Sequence, residues 1–446
     1  MSARRGTLTF LRYFVEGKPP RDLRQRYLQA VRLRVFTPLK PEDEATEASG
    51  WCVMERPFDL DIGMHNLYAD RFVLLGLRVD RWRVPSSVVQ SQLVAEEQRL
   101  LAKSGRPKLG RQEKKELKQR IVQRLRRKLL PATKAFDVCW DLDAGTVLLF
   151  SHSRRLSADF AALFEKTFAL RLVEDSPYGA AQRSRPSLAT SRVLDGVPPV
   201  SYSAGRKRLA RASGAPSATS VVVASKEPAP ESNEKPKADA GESEALIERI
   251  EGTRFLGPEL LLWLWLRTQL VEGPLTLGEH GDYEVWIERQ IVLESALDPN
   301  ERVIVRGAAP ADSSEAREAV KAQKFPVRAR LVLQGGQKDF ACVLDAPRFA
   351  IGAGVVPAVL NEQTDEAFLE RMELVEQLTQ VLDAVYGLFL EHRLTPHWQE
   401  GWEPALVAWF EGEPIPPKVL QRLQAPVANA KRPAKNAARR ARSSNQ

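Results

Sequence analysis

Between Ser176 and Ile250, serine, alanine, proline and glycine fill 38 of 75 positions, and the aromatic residues are limited to Tyr178 and Tyr202. Such a stretch cannot bury enough apolar surface to offset the entropy of ordering it. The 446 residues are therefore expected to divide into two separately cored halves, 1–175 and 251–415. A disordered linker at 176–250 would join them, and a disordered basic tail at 416–446 would follow.

Charge is distributed as unevenly as composition. The whole chain carries a formal +9, yet Arg99–Lys128 alone holds 13 Lys/Arg against Glu113 and Glu116, a net +11 in 30 residues. Residues 1–34 add +7, and residues 183–211 and 431–446 add +6 each, so the remainder is strongly acidic. Basic patches on an otherwise acidic chain are the electrostatic footprint of a nucleic-acid binder. Other classes fit poorly. The longest apolar run, Leu260–Leu266, has seven residues, far short of the roughly 20 that cross a bilayer, and the N-terminus lacks an apolar signal core. A soluble, cytoplasmic protein is expected. Cys52, Cys139 and Cys342 lie too far apart for a CxxC knuckle and read as buried thiols, and His392 and His397 lack HExxH spacing. No metal site or cofactor is expected.

Periodicity points to an α+β fold in both halves, with antiparallel or mixed sheets and long helices. In the first half Thr7–Val15 and Arg71–Val84 read as strands and Asp22–Val35 as a helix. Pro85-Ser86-Ser87 opens a long helix that Gly105-Arg106-Pro107 breaks, and Arg111–Leu130 forms a second, with Leu117, Ile121, Leu125 and Leu129 four apart. Phe136–Leu142 and Thr146–Ser151 flank an Asp143-Ala144-Gly145 turn, and Ser157 is expected to cap a helix bearing Phe160, Leu163, Phe164 and Phe168. In the second half, helices are expected at Pro258–Val271 and from Ser313 to Gln323. Strands are expected at Tyr283–Leu293, Arg302–Arg306, Pro326–Leu333 and Asp339–Leu344, and Thr364 should cap a long helix ending near His392.

Arg111–Leu130 is the element with most chemistry. At 100° per residue Arg120, Arg124 and Arg127 form one stripe beside the leucines, Lys115 and Arg126 lie on the other flank, and Lys114 and Lys118 snorkel near the apolar side. The stripe suits phosphate contact, because such a density of cations repels itself until a polyanion relieves it. A solvated face balanced by a Glu116–Arg120 pair is the alternative. Asp137, Asp141, Asp143 and the Glu113-Lys114-Lys115 tripeptide could hold magnesium beside a phosphate, which would make the chain a magnesium-dependent DNA exonuclease. No phosphate-cradling or nucleophile-elbow motif is present, so a non-enzymatic binder is the leading expectation. Leu262–Leu266, apolar on every helix face, reads as core.

Several motifs occur in the order found in the recombination-associated RdgC family. They are Gly50-Trp51, Val84-Pro85-Ser86-Ser87-Val88-Val89, Leu101-Ala102-Lys103, the basic second helix, Leu129-Leu130-Pro131 and Trp140 before the Gly145 hairpin. Leu262–Arg267, Val303-Ile304, Ser313-Ser314-Glu315 and the strand pair after Phe325 continue it. The chain resembles that family over 1–175 and 255–395. The resemblance implies a ring-shaped homodimer with a basic inner surface that binds single- and double-stranded DNA with little sequence preference, sits on the nucleoid and modulates the RecA recombinase. Arg111, Lys115, Arg120, Arg124, Arg126 and Arg127 of the basic helix are the expected DNA contacts, and the resemblance implies Phe136 as a dimer contact. Ala308-Ala309-Pro310 stand where the family carries a basic and polar pair, leaving Arg306 as the basic residue at that tip. The basic tail would add a tethered arm.

Overall fold

The computed structural model describes residues 3–20, 22–200, 238–295, 298, 300–336, 338–359 and 364–424. Residues 201–237 of the expected linker, and 425–446 of the tail expected at 416–446, lie outside the described residues, while Pro417–Gln424 of that tail form a helix in place of the expected disorder.

Through the first part of the chain run β1 (Leu8–Glu16), α1 (Leu23–Arg32), β2 (Glu47–Cys52), α2 (Met64–Leu67), β3 (Tyr68–Ala69) and β4 (Phe72–Arg81). Then come α3 (Ser86–Ser104), α4 (Arg111–Arg126), β5 (Ala132–Asp141), β6 (Thr146–Leu149), α5 (Arg154–Phe168) and β7 (Arg171–Glu174). The chain continues with α6 (Pro177–Ser184), α7 (Ser191–Asp195), α8 (Ala238–Gly252), α9 (Leu256–Leu270), β8 (Leu275–Thr276), β9 (Asp282–Ser295) and β10 (Arg302–Gly307). The last elements are α10 (Ser314–Lys321), β11 (Lys324–Gly335), β12 (Phe340–Asp345), β13 (Ala350–Val355), α11 (Asp365–Arg393), α12 (Glu403–Glu411) and α13 (Pro417–Gln424). All named strand pairs described below are antiparallel, and the α+β class expected from periodicity is the one observed.

Two compact units form, one from the residues up to Asp175 together with Phe349–Val375, the other from Ser176–Arg348 together with the residues from Glu376 on. The division departs from the expected halves because Phe349–Val375 belongs with the N-terminal residues. β13 pairs with β1, placing Gly354 opposite Leu8 and Ile351 opposite Phe10. The Arg371 guanidinium donates to the carbonyls of Ala3 and Gly6. No local pattern announces a pairing between residues so distant in sequence.

Residues 176–200 and 238–250 also differ from the expected linker, the latter lying in α8. Ser176 and Thr190 cap α6 and α7 by accepting from the N–H groups of Gly179 and Val193. Tyr178, Ala180, Ala181, Leu194 and Val200 are buried. Composition averaged over 75 residues concealed a short stretch whose few large apolar side chains are enough to dock it.

In the first unit the sheet order is β13-β1-β6-β5-β4-β2, with β7 beside β1 and β3 beside β4. Alternation along β5 sends Phe136, Val138 and Trp140 to one face, opposite Leu77, Leu75 and Val73 of β4. That face packs on Tyr27 and Val31 of α1 and on Phe160, Phe164 and Phe168 of α5, with Trp140 5.1 Å from Phe164 and 5.2 Å from Phe168 between ring centroids. Helix α5 starts one turn earlier than expected. Ser153 caps it by accepting from Leu156 N–H at 3.3 Å, whereas Ser157 is buried, accepting from Tyr13 Oη at 2.8 Å and donating to Glu174 Oε2 at 2.6 Å.

Helices α3 and α4 form an antiparallel hairpin with a small core of its own, made by Val89, Leu117, Ile121 and Leu125 with Val84, Leu93, Leu109 and Val122 at its edge. Gly105 closes α3 at φ 63°, a backbone that glycine adopts without cost. Helix α4 stops at Arg126, short of the expected Leu130, and Leu129 and Leu130 are exposed. With so little apolar area, the hairpin should open independently of the sheet. Ile121→Ala should cost about 2–4 kcal/mol. Hydrogen exchange should then show loss of protection across 86–126 with β4 and β5 unchanged; equal loss in the strands would show one cooperative unit.

The second unit carries the sheet β10-β9-β11-β12 with β8 beside β9. Leu262–Leu266 of α9 are fully buried, as their all-round apolarity requires. A π-helical turn at Trp398–Trp402 and helix α12, neither foreseen from periodicity, bring Trp402 to 5.8 Å from Trp263 and Trp409 to 5.5 Å from Trp265. His392 sits among them, and burial, then His397 and Arg267, hold its imidazole down at about 3. The unfolded chain takes up this proton below about 6.5 and the folded chain does not until about 3, so stability should fall as pH drops through that window. The slope is at most about 1.4 kcal/mol per pH unit. Thermal unfolding from pH 7 to 4 should show a shallower slope in His392→Phe.

Candidate nucleic-acid interface

The α3–α4 hairpin gathers most of the residues expected to meet DNA. Helix α4 begins with a capping arrangement in which Glu113 Oε2 accepts from Gly110 N–H at 2.8 Å, and Glu113 also pairs with Arg106 at 3.3 Å. The carboxylate of the E-x-K tripeptide is thus committed to capping the start of α4. Lys114 pairs with Glu97, and Arg124 with Glu96 at 3.2 Å and Gln92 at 3.0 Å, all across the hairpin. Arg127 pairs with Glu42 at 2.9 Å. Glu116 accepts from Gln112 at 3.1 Å, in place of the expected pair with Arg120.

What remains is a set of cations without acidic partners. Arg111, Lys115 and Arg120 are exposed on α4 and make no ion pair among the described residues, and the same holds for Lys103, Lys108, Lys118 and Lys128. Lys118 is exposed rather than lying along the apolar side, and Lys103, Lys108 and Lys128 join the residues expected to meet DNA. Their signal was their place in the same basic run.

Arg126 is a correction. It is only 6% exposed, its Nη1 donates to the Asp43 carbonyl at 2.6 Å, and its guanidinium lies 5.7 Å from the Trp82 ring centroid. The helix ends with Arg126 turned inward, so the residue anchors α4 and cannot reach a phosphate. Arg306 is exposed on β10, which among the described residues pairs with β9 and forms an edge of the second unit's sheet. Phe136 is half-buried at the margin of the first unit's core.

The carboxylates considered for magnesium do not converge. Asp137 is buried, its Oδ2 accepts from Ala3 N–H at 2.8 Å, and burial pushes its carboxyl above the usual range. Asp141 Oδ1 accepts from the N–H groups of Asp143 and Ala144 at 2.9 and 3.0 Å. Its Oδ2 meets Arg71 at 3.0 Å. Both side chains are occupied in closing a strand and a turn. Among the described residues, no three His, Cys, Asp or Glu side chains group as a metal site, and no helix is long and apolar enough to cross a membrane.

Comparison with curated proteins finds no match. A family model described as "Putative exonuclease, RdgC" matches residues 25–186, a span that takes in β2 to β7, the α3–α4 hairpin and α5. Over this span the chain is similar to the RdgC family.

Proposed function

We propose that the protein binds single- and double-stranded DNA with little regard to sequence and acts non-catalytically in recombination. It does so on the nucleoid, as a homodimer that limits a RecA-type recombinase. The observation that carries this reading is the set of seven exposed Lys and Arg side chains on and around α3 and α4 that have no acidic partner among the described residues. Held on two helices with a core of four buried residues, these charges repel one another, and a phosphate backbone relieves that repulsion by releasing its counterions. Exposed cations of this kind meet phosphate rather than base edges, so affinity follows charge.

Fluorescence anisotropy with labelled duplexes of unrelated sequence tests this. Affinities should agree within a few-fold and fall steeply with salt. End-labelled linear DNA incubated with the protein and magnesium should keep its length. Shortening that Asp141→Ala abolishes would overturn the non-catalytic reading in favour of an exonuclease.

A further inference from the structure

The core face of β4 and β5 extends beyond the start of α5, and there it opens into a cleft of about 390 Å³. Its floor is apolar, formed by Val79, Phe136 and Leu156, and its rim carries Arg81, Arg83, Lys134 and Arg155. Register explains the arrangement. Val79 lies opposite Lys134, Arg81 opposite Ala132 and Leu77 opposite Phe136, so alternate residues of the two strands deliver an aromatic ring and a lysine to the same face. Glu47 Oε2 lies 2.7 Å from both Arg81 and Arg155. One carboxylate is thus shared by two guanidiniums and leaves the pair positive. Arg83 and Lys134 are exposed and make no ion pair among the described residues. Asp159, the other acid of the lining, does not cancel this excess. The N-terminus of the 15-residue helix α5, capped by Ser153, opens at the rim and adds its partial positive charge.

The cleft also sits where the basic hairpin is rooted. Arg81 and Arg83 lead into α3, and Ala132 and Lys134 follow α4. A strand whose phosphates run along the hairpin therefore reaches the cleft at its base. We propose that this cleft takes one unpaired nucleotide of single-stranded DNA, with the base against Phe136 and its phosphate at Arg83 and Lys134. A flat apolar floor beneath a cationic rim complements a nucleotide, whose base is aromatic and whose phosphate is anionic. A duplex keeps its bases stacked and presents only phosphate to such a rim, so the cleft adds affinity for single strands alone. This inference rests on the DNA-binding reading above.

The test uses the full chain and a 20-nucleotide thymidine strand carrying one 2-aminopurine, walked along the strand, with a duplex of equal length as control. The wild type should quench 2-aminopurine at a defined position. Phe136→Leu keeps an apolar filling but removes the aromatic face. It should abolish the quench and weaken single-strand binding about tenfold, with duplex affinity unchanged. Replacing Arg83 and Lys134 together by alanine should lower the single-strand salt slope by about 1.4. Unchanged quenching and single-strand affinity in Phe136→Leu, with duplex binding intact, would overturn the cleft and leave the DNA-binding reading standing. Wild-type protein that binds neither DNA would overturn both. Conversion of a dimer to a monomer by Phe136→Leu, with the nucleotide signal retained, would assign the ring to contact with a second copy and overturn the proposal.

Discussion

Glu259→Ala should remove about 3–5 kcal/mol from the second unit, the largest stability loss expected from a single substitution in the protein. Glu259 opens α9 and Arg393 ends α11, and their side chains are 3% and 7% exposed, with Nε to Oε2 at 2.6 Å. The pair is saturated with further bonds. Glu259 Oε1 accepts from Val200 N–H at 2.7 Å, and Arg393 Nη2 donates to the Pro198 carbonyl at 2.6 Å. Truncating the acid leaves a buried guanidinium without its counter-charge and a backbone N–H without an acceptor, and neither can be hydrated in place. Glu259→Gln keeps an acceptor for Val200 and should cost less, whereas Arg393→Met replaces charge with a side chain of similar length and leaves the carboxylate stranded. Chemical denaturation would rank the three. Equal, small losses would show that water enters the site and that the pair is a surface contact in effect.

The second large effect concerns binding. Arg111, Lys115 and Arg120 are exposed on α4 and engaged by no acid among the described residues, so replacing all three by glutamine should leave the fold intact. The duplex salt slope should flatten by about 2.7, at roughly 0.9 per lost phosphate contact. Between 50 and 200 mM salt a change of that size corresponds to about fortyfold in the affinity ratio. The matching substitution of Arg124 and Arg127 should do less. Glu96 and Glu42 already neutralise these two residues, and a phosphate would have to displace a carboxylate rather than fill a vacancy. Identical slopes for the two sets would show that the intramolecular pairs dissolve on binding and that only the total charge of the hairpin matters.

Much of this interface was legible in the chain itself. Four-residue spacing of Leu117, Ile121 and Leu125 placed the buried side of α4, and the density of Lys and Arg placed the charge. Both are local properties, carried by residues one helical turn apart. The all-round apolarity of Leu262–Leu266 likewise announced burial without reference to what would cover it.

Which cations stay free was decided elsewhere. Arg126 and Arg127 are adjacent and chemically identical, yet one is anchored on Asp43 and Trp82 while the other reaches Glu42 from the surface. Spacing puts them on different flanks of the helix but does not say which is buried, because the oxygen partners come from a loop more than 80 residues away and the ring from Trp82. The same is true of β13, whose place beside β1 depends on matching two edges of distant sequence, and of Phe136, which alternation assigns to the core face. Only the extension of that face beyond the start of α5 leaves the ring open to a cleft. Most elements, their apolar faces and the location of positive charge follow from neighbours within a turn or a strand and were legible in the chain, whereas α6, α7, the turn at Trp398–Trp402 and α12 were not. The pairing of edges, the choice of which charges are neutralised and the opening of the cleft were decided by tertiary contacts, whose partners lie tens to hundreds of residues apart and leave no periodic trace.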